Sequence, residues 1–111
     1  FVCTDKQLKK IRLSDILFIE SMENYILIHT PGSKEIVNAS LKQMLASLPG
    51  DTFRQVHRSY IANLSKVEAI AGGELRVGGR WIPVGRNMRD EVVERLTGGR
   101  LLSDKNEKRE I

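Results

Sequence analysis

The sequence predicts a mostly β domain with two short helices. Short apolar stretches bounded by turn residues dominate the chain. Only two segments space their apolar residues at helical intervals. Val77-Gly78-Gly79-Arg80 places two glycines where a two-residue hairpin needs positive φ.

Taken in order, Phe1–Thr4 and Leu8–Arg12 read as strands flanking the turn Asp5-Lys6-Gln7, and Leu13-Ser14-Asp15 as a turn or single helical turn. The strand Leu17–Ser21 follows, and the unalternated run Ile16–Ile19 implies that both of its faces are covered. Glu23-Asn24 is a loop, Tyr25–Thr30 a strand, Pro31-Gly32 a turn and Lys34–Val37 another strand. Ser40 and Gln43 form a capping-box pattern, and Leu41, Met44, Leu45 and Leu48 then make one apolar helix face, stopped by Pro49-Gly50. Lys66–Ala71 and Glu74–Val77 are strands. The Gly78-Gly79 hairpin sets Arg76 opposite Trp81 and Leu75 opposite Ile82, which suggests a cation–π pair between Arg76 and the indole. The second helix runs from about Asn87 to Thr97, with Met88, Val92, Val93 and Leu96 on its apolar side and Gly98-Gly99 beyond. Tyr60, Ile61, Leu64, Val67 and Ile70 are expected in the core.

The 111 residues amount to one domain, taken as 1–102, with a charged tail at 103–111 expected to be disordered. The chain does not begin with Met, so an excised domain is expected. Neither a membrane span nor a leader is expected, because the longest apolar run is Ile16–Ile19 and the first residues read as a strand. Cys3 is the only cysteine, which fits a reducing, cytoplasmic compartment. The formal net charge is +4, and the tail is neutral, so residues 1–102 carry the whole excess, 15 positive against 11 negative. Arg54, Arg58, Arg76, Arg80 and Arg86 fall where acids are few, the residue type that phosphate and guanine contacts need.

Enzyme constellations are thin. His29 and His57 are the only histidines; Ser59, His57 and Asp51 make a triad only on paper. There is no G-x-S-x-G or H-E-x-x-H, and the glycine pairs do not form a phosphate loop leading into a helix. No catalytic residue, metal site or cofactor is expected. His29 reads as a structural histidine bonded to a neighbour, and Cys3 as a buried strand residue. The segment Phe53–Asn63 (FRQVHRSYIAN) stands apart, packing two arginines, a histidine and a tyrosine around few core positions. Its residues alone leave two readings open, a cationic nucleic-acid surface or a solvated connection braced by His57 and Asn63.

Three motifs together resemble a known family. Asp15–Ser21 (DILFIES) with Asn24-Tyr25 and Ser40-Leu41-Lys42, then Phe53–Asn63, then Ile82-Pro83-Val84-Gly85-Arg86, occur in the order and spacing of the LytTR DNA-binding domain of bacterial response regulators. The resemblance spans Phe1 to about Leu96. It implies three antiparallel sheets in an elongated β-β-β arrangement, and duplex DNA as partner, with loops entering successive major grooves. It also implies dimers on tandem sites and an N-terminal receiver domain in the full-length protein. Carried over by position, base contacts fall on Asn24, Arg58 and Arg86, and backbone contacts on Tyr25, Lys42, Arg54 and Arg89. Asn pairs with adenine and Arg with guanine, whereas backbone contacts position without specifying. Asn24 is also a common turn residue, Arg86 could pair with Asp90, and His57 reads as an organiser of its loop. Gly85 stands where the family often has serine. The competing functions are a protein-interaction or dimerisation module with a basic face and, behind it, an RNA-binding domain, for which only Tyr25 and Trp81 could serve as stacking platforms.

Overall fold

The computed structural model describes residues 2–3 and 8–97, with side chains from Lys10 onward. The chain is mostly β. A five-stranded antiparallel sheet is built from β3 (Phe18–Ser21), β4 (Ile26–Thr30), β5 (Ser33–Val37), β6 (Phe53–His57) and β7 (Tyr60–Asn63), in the order β5-β4-β3-β7-β6. A three-stranded sheet follows, from β8 (Val67–Ala71), β9 (Glu74–Val77) and β10 (Arg80–Pro83). At the start, β1 (Val2–Cys3) pairs with β2 (Leu8–Lys9) over two residues each. The helices are α1 (Leu41–Ala46) and α2 (Arg89–Thr97), with 3-10 turns at Leu13–Asp15, Leu64–Lys66 and Arg86–Met88. The turn Asp5–Gln7, the burial of Cys3, Gly98-Gly99 and the 103–111 tail lie outside the described residues.

Two cores share the larger sheet. On one face Ile19, Ile26, Ile28, Phe53 and Ile61 pack with Val37 and Leu41, and with Met44, Leu45 and Leu48 around α1. On the other, Phe18, Val56 and Ala62 meet Leu75, Val77 and Ile82 of the smaller sheet, and Val92 of α2. Neighbouring residues of β3 therefore face opposite cores, Phe18 one way and Ile19 the other, as strand alternation requires. The run Ile16–Ile19 lacks alternation because both faces are covered. Asn63, 1% exposed, ties this arrangement internally. Its Nδ2 donates to the Ile16 carbonyl at 2.8 Å, and its Oδ1 accepts from the Ser65 amide at 3.0 Å and the Ser65 hydroxyl at 2.6 Å.

Several expectations are corrected. Residues 53–63 form a hairpin, β6–β7, rather than a solvated connection. Ile70 is 39% exposed because β8 is an edge strand whose register shifts between Val67 and Ala69. Arg76 does stand opposite Trp81, but its Nε lies 3.4 Å from Glu68 Oε1, and the cation–π contact among the described residues is Arg80 over Phe18, 5.6 Å from the ring centroid. The strand foreseen to Arg12 stops at Lys9, and the second helix begins with a 3-10 turn before Arg89. The first helix ends at Ala46, with Leu48 still packed on its core.

Candidate nucleic-acid interface

One end of the five-stranded sheet gathers most of the residues singled out from the sequence. β3 leaves the sheet at Ser21 and β4 re-enters at Ile26, so Met22–Tyr25 caps that end, closed by the Met22 amide donating to the Tyr25 carbonyl at 2.8 Å. β5 pairs Val37 with Ile26, so it finishes at the same end and delivers the start of α1 there. β7 pairs Tyr60 with Glu20, which brings the Arg58-Ser59 turn alongside, and the Ser21 amide donates to the Ser59 carbonyl at 2.8 Å. A bulge leaves Val56 without a partner between the pairs Gln55–Ile61 and His57–Tyr60. Its carbonyl accepts from the Gly85 amide at 2.6 Å, which anchors the segment that carries Arg86.

Asn24, Arg58 and Arg86 are all exposed. Asn24 and the half-buried Tyr25 line a cleft with Ser40, Leu41 and Gln43, between the loop and the first turn of α1. Lys42 projects from that turn into solvent. Among the described residues Arg58, Lys42 and Arg86 form no salt bridge, so the pairing of Arg86 with Asp90 is not made. The other two cations are engaged. Arg54 pairs with Glu91 of α2, although its side chain stays 36% exposed. The Arg89 guanidinium lies against Gly73, where a Cβ would stand 2.5 Å from Nη2. Glu23 is an exposed acid within the Asn24 loop. Arg54 and Arg76 thus face carboxylates after all, since folding brings Glu91 and Glu68 to them.

Beneath this end lies a polar network that sequence reasoning missed in part. His29 is 4% exposed and stacks on Phe18, with ring centroids 4.1 Å apart. Its Nε2 is 3.1 Å from Glu20 Oε1, while the Tyr60 hydroxyl donates to Glu20 Oε2 at 3.1 Å. Burial lowers the His29 pKa below its usual value, against the opposing pull of Glu20. Burial, with Glu20 adding to it, raises that of Tyr60. His57 organises its own turn as expected, its Nδ1 accepting from the Ser59 amide at 3.1 Å, and its ring meets Tyr60 edge-on at 5.8 Å. Glu20 was not singled out. The available signal was its place at the end of an apolar run covered on both faces, where a carboxylate needs partners. Among the described residues no group of three His, Cys, Asp or Glu side chains is placed to hold a metal ion, and no helix is long and apolar enough to cross a membrane.

Residues 6–97 match the model of the LytTr DNA-binding domain family. Over 88 residues the chain is 25% identical to an uncharacterized response regulatory protein of Vibrio cholerae, a match covering 73% of this chain and 32% of that protein. The chain thus spans about a third of the length of that relative. A solved LytTr DNA-binding domain from Bacillus cereus superposes with a TM-score of 0.74 at 21% identity, over 86% of this chain and 93% of the other. That likeness concerns the fold.

Proposed function

The chain belongs to the LytTr DNA-binding domain family, and from that premise we propose that it binds duplex DNA sequence-specifically, as the output domain of a cytoplasmic transcriptional response regulator. The observation that carries the proposal is the convergence of the Asn24 loop, the Arg58 turn and the Arg86 segment on one end of one sheet. Two of the three present arginines that are exposed and make no salt bridge among the described residues.

These loops enter the major groove, where a planar guanidinium meets O6 and N7 of guanine together and the Asn24 amide meets adenine. Lys42 and Tyr25 contact phosphates beside them. Arg54 and Arg89 do so at the α2 side, Arg54 by exchanging or sharing its bond to Glu91. In the domain scheme, 1–102 is the binding unit and 103–111 an appended tail, with β1–β2 the third and smallest sheet. A receiver domain precedes it in the full-length protein, and two copies bind tandem sites.

Selection of duplexes from a random library, followed by sequencing, tests this directly. A paired motif is expected to be enriched; recovery of the input distribution would remove sequence-specific binding. On a selected duplex, Arg58→Ala should weaken binding by about 1–3 kcal/mol and relax one base pair. Arg58→Lys keeps the charge without the planar fork and should fail to restore selectivity. Lys42→Ala should weaken selected and scrambled duplexes alike. Equal losses on both duplexes for Arg58→Ala would make Arg58 a phosphate contact.

A further inference from the structure

We infer that Glu20 is a positioning residue for the Arg58 turn, its carboxylate clamping β4 to β7 directly beneath the interface. It rests on the base-reading role of Arg58. Glu20 lies on the central strand β3, with β4 on one side and β7 on the other. One oxygen meets His29 Nε2 from β4 and the second meets the Tyr60 hydroxyl from β7, each at 3.1 Å. A carboxylate only accepts, so both contacts are made when the His29 proton sits on Nε2 and the tyrosine donates. Glu20 is 22% exposed and His29 6% at their side chains, so water competes weakly for these bonds.

The clamp reaches the turn by two routes. Tyr60 follows Arg58 by two positions, and its ring abuts His57, whose Nδ1 holds the Ser59 amide. Ser21, next to Glu20, donates its amide to the Ser59 carbonyl. Arg58 lies between the two residues so held, His57 and Ser59. Among the described residues the Arg58 side chain has no hydrogen-bond or salt-bridge partner, so the direction of its guanidinium depends on the backbone of this turn. A bidentate contact to guanine tolerates little error in that direction, whereas a phosphate contact tolerates more.

Three variants separate positioning from bulk stability. Tyr60→Phe deletes one hydroxyl, Glu20→Ala deletes both acceptors, and Glu20→Gln keeps an acceptor of the same shape. Two readouts are taken on folded protein: the ratio of affinities for a library-selected and a scrambled duplex at matched salt, and hydrogen exchange of the Ser21 amide without DNA. Tyr60→Phe and Glu20→Ala are expected to lower the ratio about fivefold to tenfold, the worth of one or two net hydrogen bonds. Scrambled-duplex affinity and salt dependence should stay unchanged, and Ser21 should exchange faster. Glu20→Gln should retain most of the ratio. A lowered Tm with an unchanged ratio would overturn the inference, as would equal losses on both duplexes. If Glu20→Ala does not fold, Tyr60→Phe carries the test alone. If the wild-type protein shows no duplex preference, the DNA reading fails, and the assigned role of Glu20 at an Arg58 reading contact falls with it; unchanged Ser21 exchange, by contrast, removes the clamp while leaving DNA binding intact.

Discussion

His29 binds a proton less readily than a histidine in water, because its ring is buried against Phe18. Glu20 pulls the other way, and Arg80 and Lys34 assist the burial. Its folded pKa lies below the unfolded value near 6.5, so in the window between them the unfolded chain holds more protons. The contribution of neutral His29 is therefore fully present above about pH 6.5 and is lost as pH falls through that window. Thermal unfolding between pH 7.5 and 5.5 should show wild-type Tm falling more steeply than that of His29→Gln. Parallel slopes would mean that His29 titrates alike in both states. That His29 is structural was legible in the sequence, from its place inside a strand. Its partner was not, because Glu20 is nine positions away and meets it only when β3 and β4 pair.

Helix α1 is six residues long, too short to persist on local bonding, and it depends on its cap and its packing. The capping box seen in the sequence is complete, with the Gln43 amide donating to Ser40 Oγ at 3.1 Å and the Ser40 amide to Gln43 Oε1 at 2.9 Å. Ser40→Ala should cost about 1 kcal/mol and lower Tm by about 4–8 °C, measurable by calorimetry. No change would mean that packing of Leu41, Met44 and Leu45 alone holds the helix. The helices and the glycine hairpin were readable because their signals are local: caps, spacing of three and four, and paired glycines. The β6–β7 hairpin was not. Its turn, Arg58-Ser59, has neither glycine nor asparagine, and both residues keep negative φ. Polar residues alternate with Phe53 and Val56, which face different cores, so no single apolar face shows. The bulge at Val56, which seats Gly85, is likewise a property of strand pairing and leaves no mark in a linear reading.

Across the whole molecule the formal charge of +4 is modest, and ion pairs such as Arg54–Glu91 and Arg76–Glu68 take part of it. Duplex affinity should still fall steeply with salt, because each neutralised phosphate releases condensed counterions. About five phosphate contacts give a log–log slope of about −4 to −5. Affinity that stays flat from low to physiological salt would favour an acidic protein partner instead. The motif positions Asn24, Arg58 and Arg86 were legible because each motif is contiguous. Their convergence, and the engagement of Arg54 and Arg89 elsewhere, depended on contacts between segments far apart in the chain.

The pairing of Glu20 with Tyr60 joins positions 40 apart, and Gly85 reaches back to Val56. The loop, the turn and the Arg86 segment are spread from residue 24 to residue 86, so no short peptide carries all three, and a chain still lacking β7 has not yet formed the surface. On the proposed reading, duplex binding needs the completed fold, and DNA acts as a ligand of the native state against the unfolded one. A duplex present at a hundredfold excess over its Kd should add about 2.7 kcal/mol to stability. A molecule seated on its site should outlast a free one under proteolysis, and a weakly folding variant that fails in isolation should regain its structure on DNA.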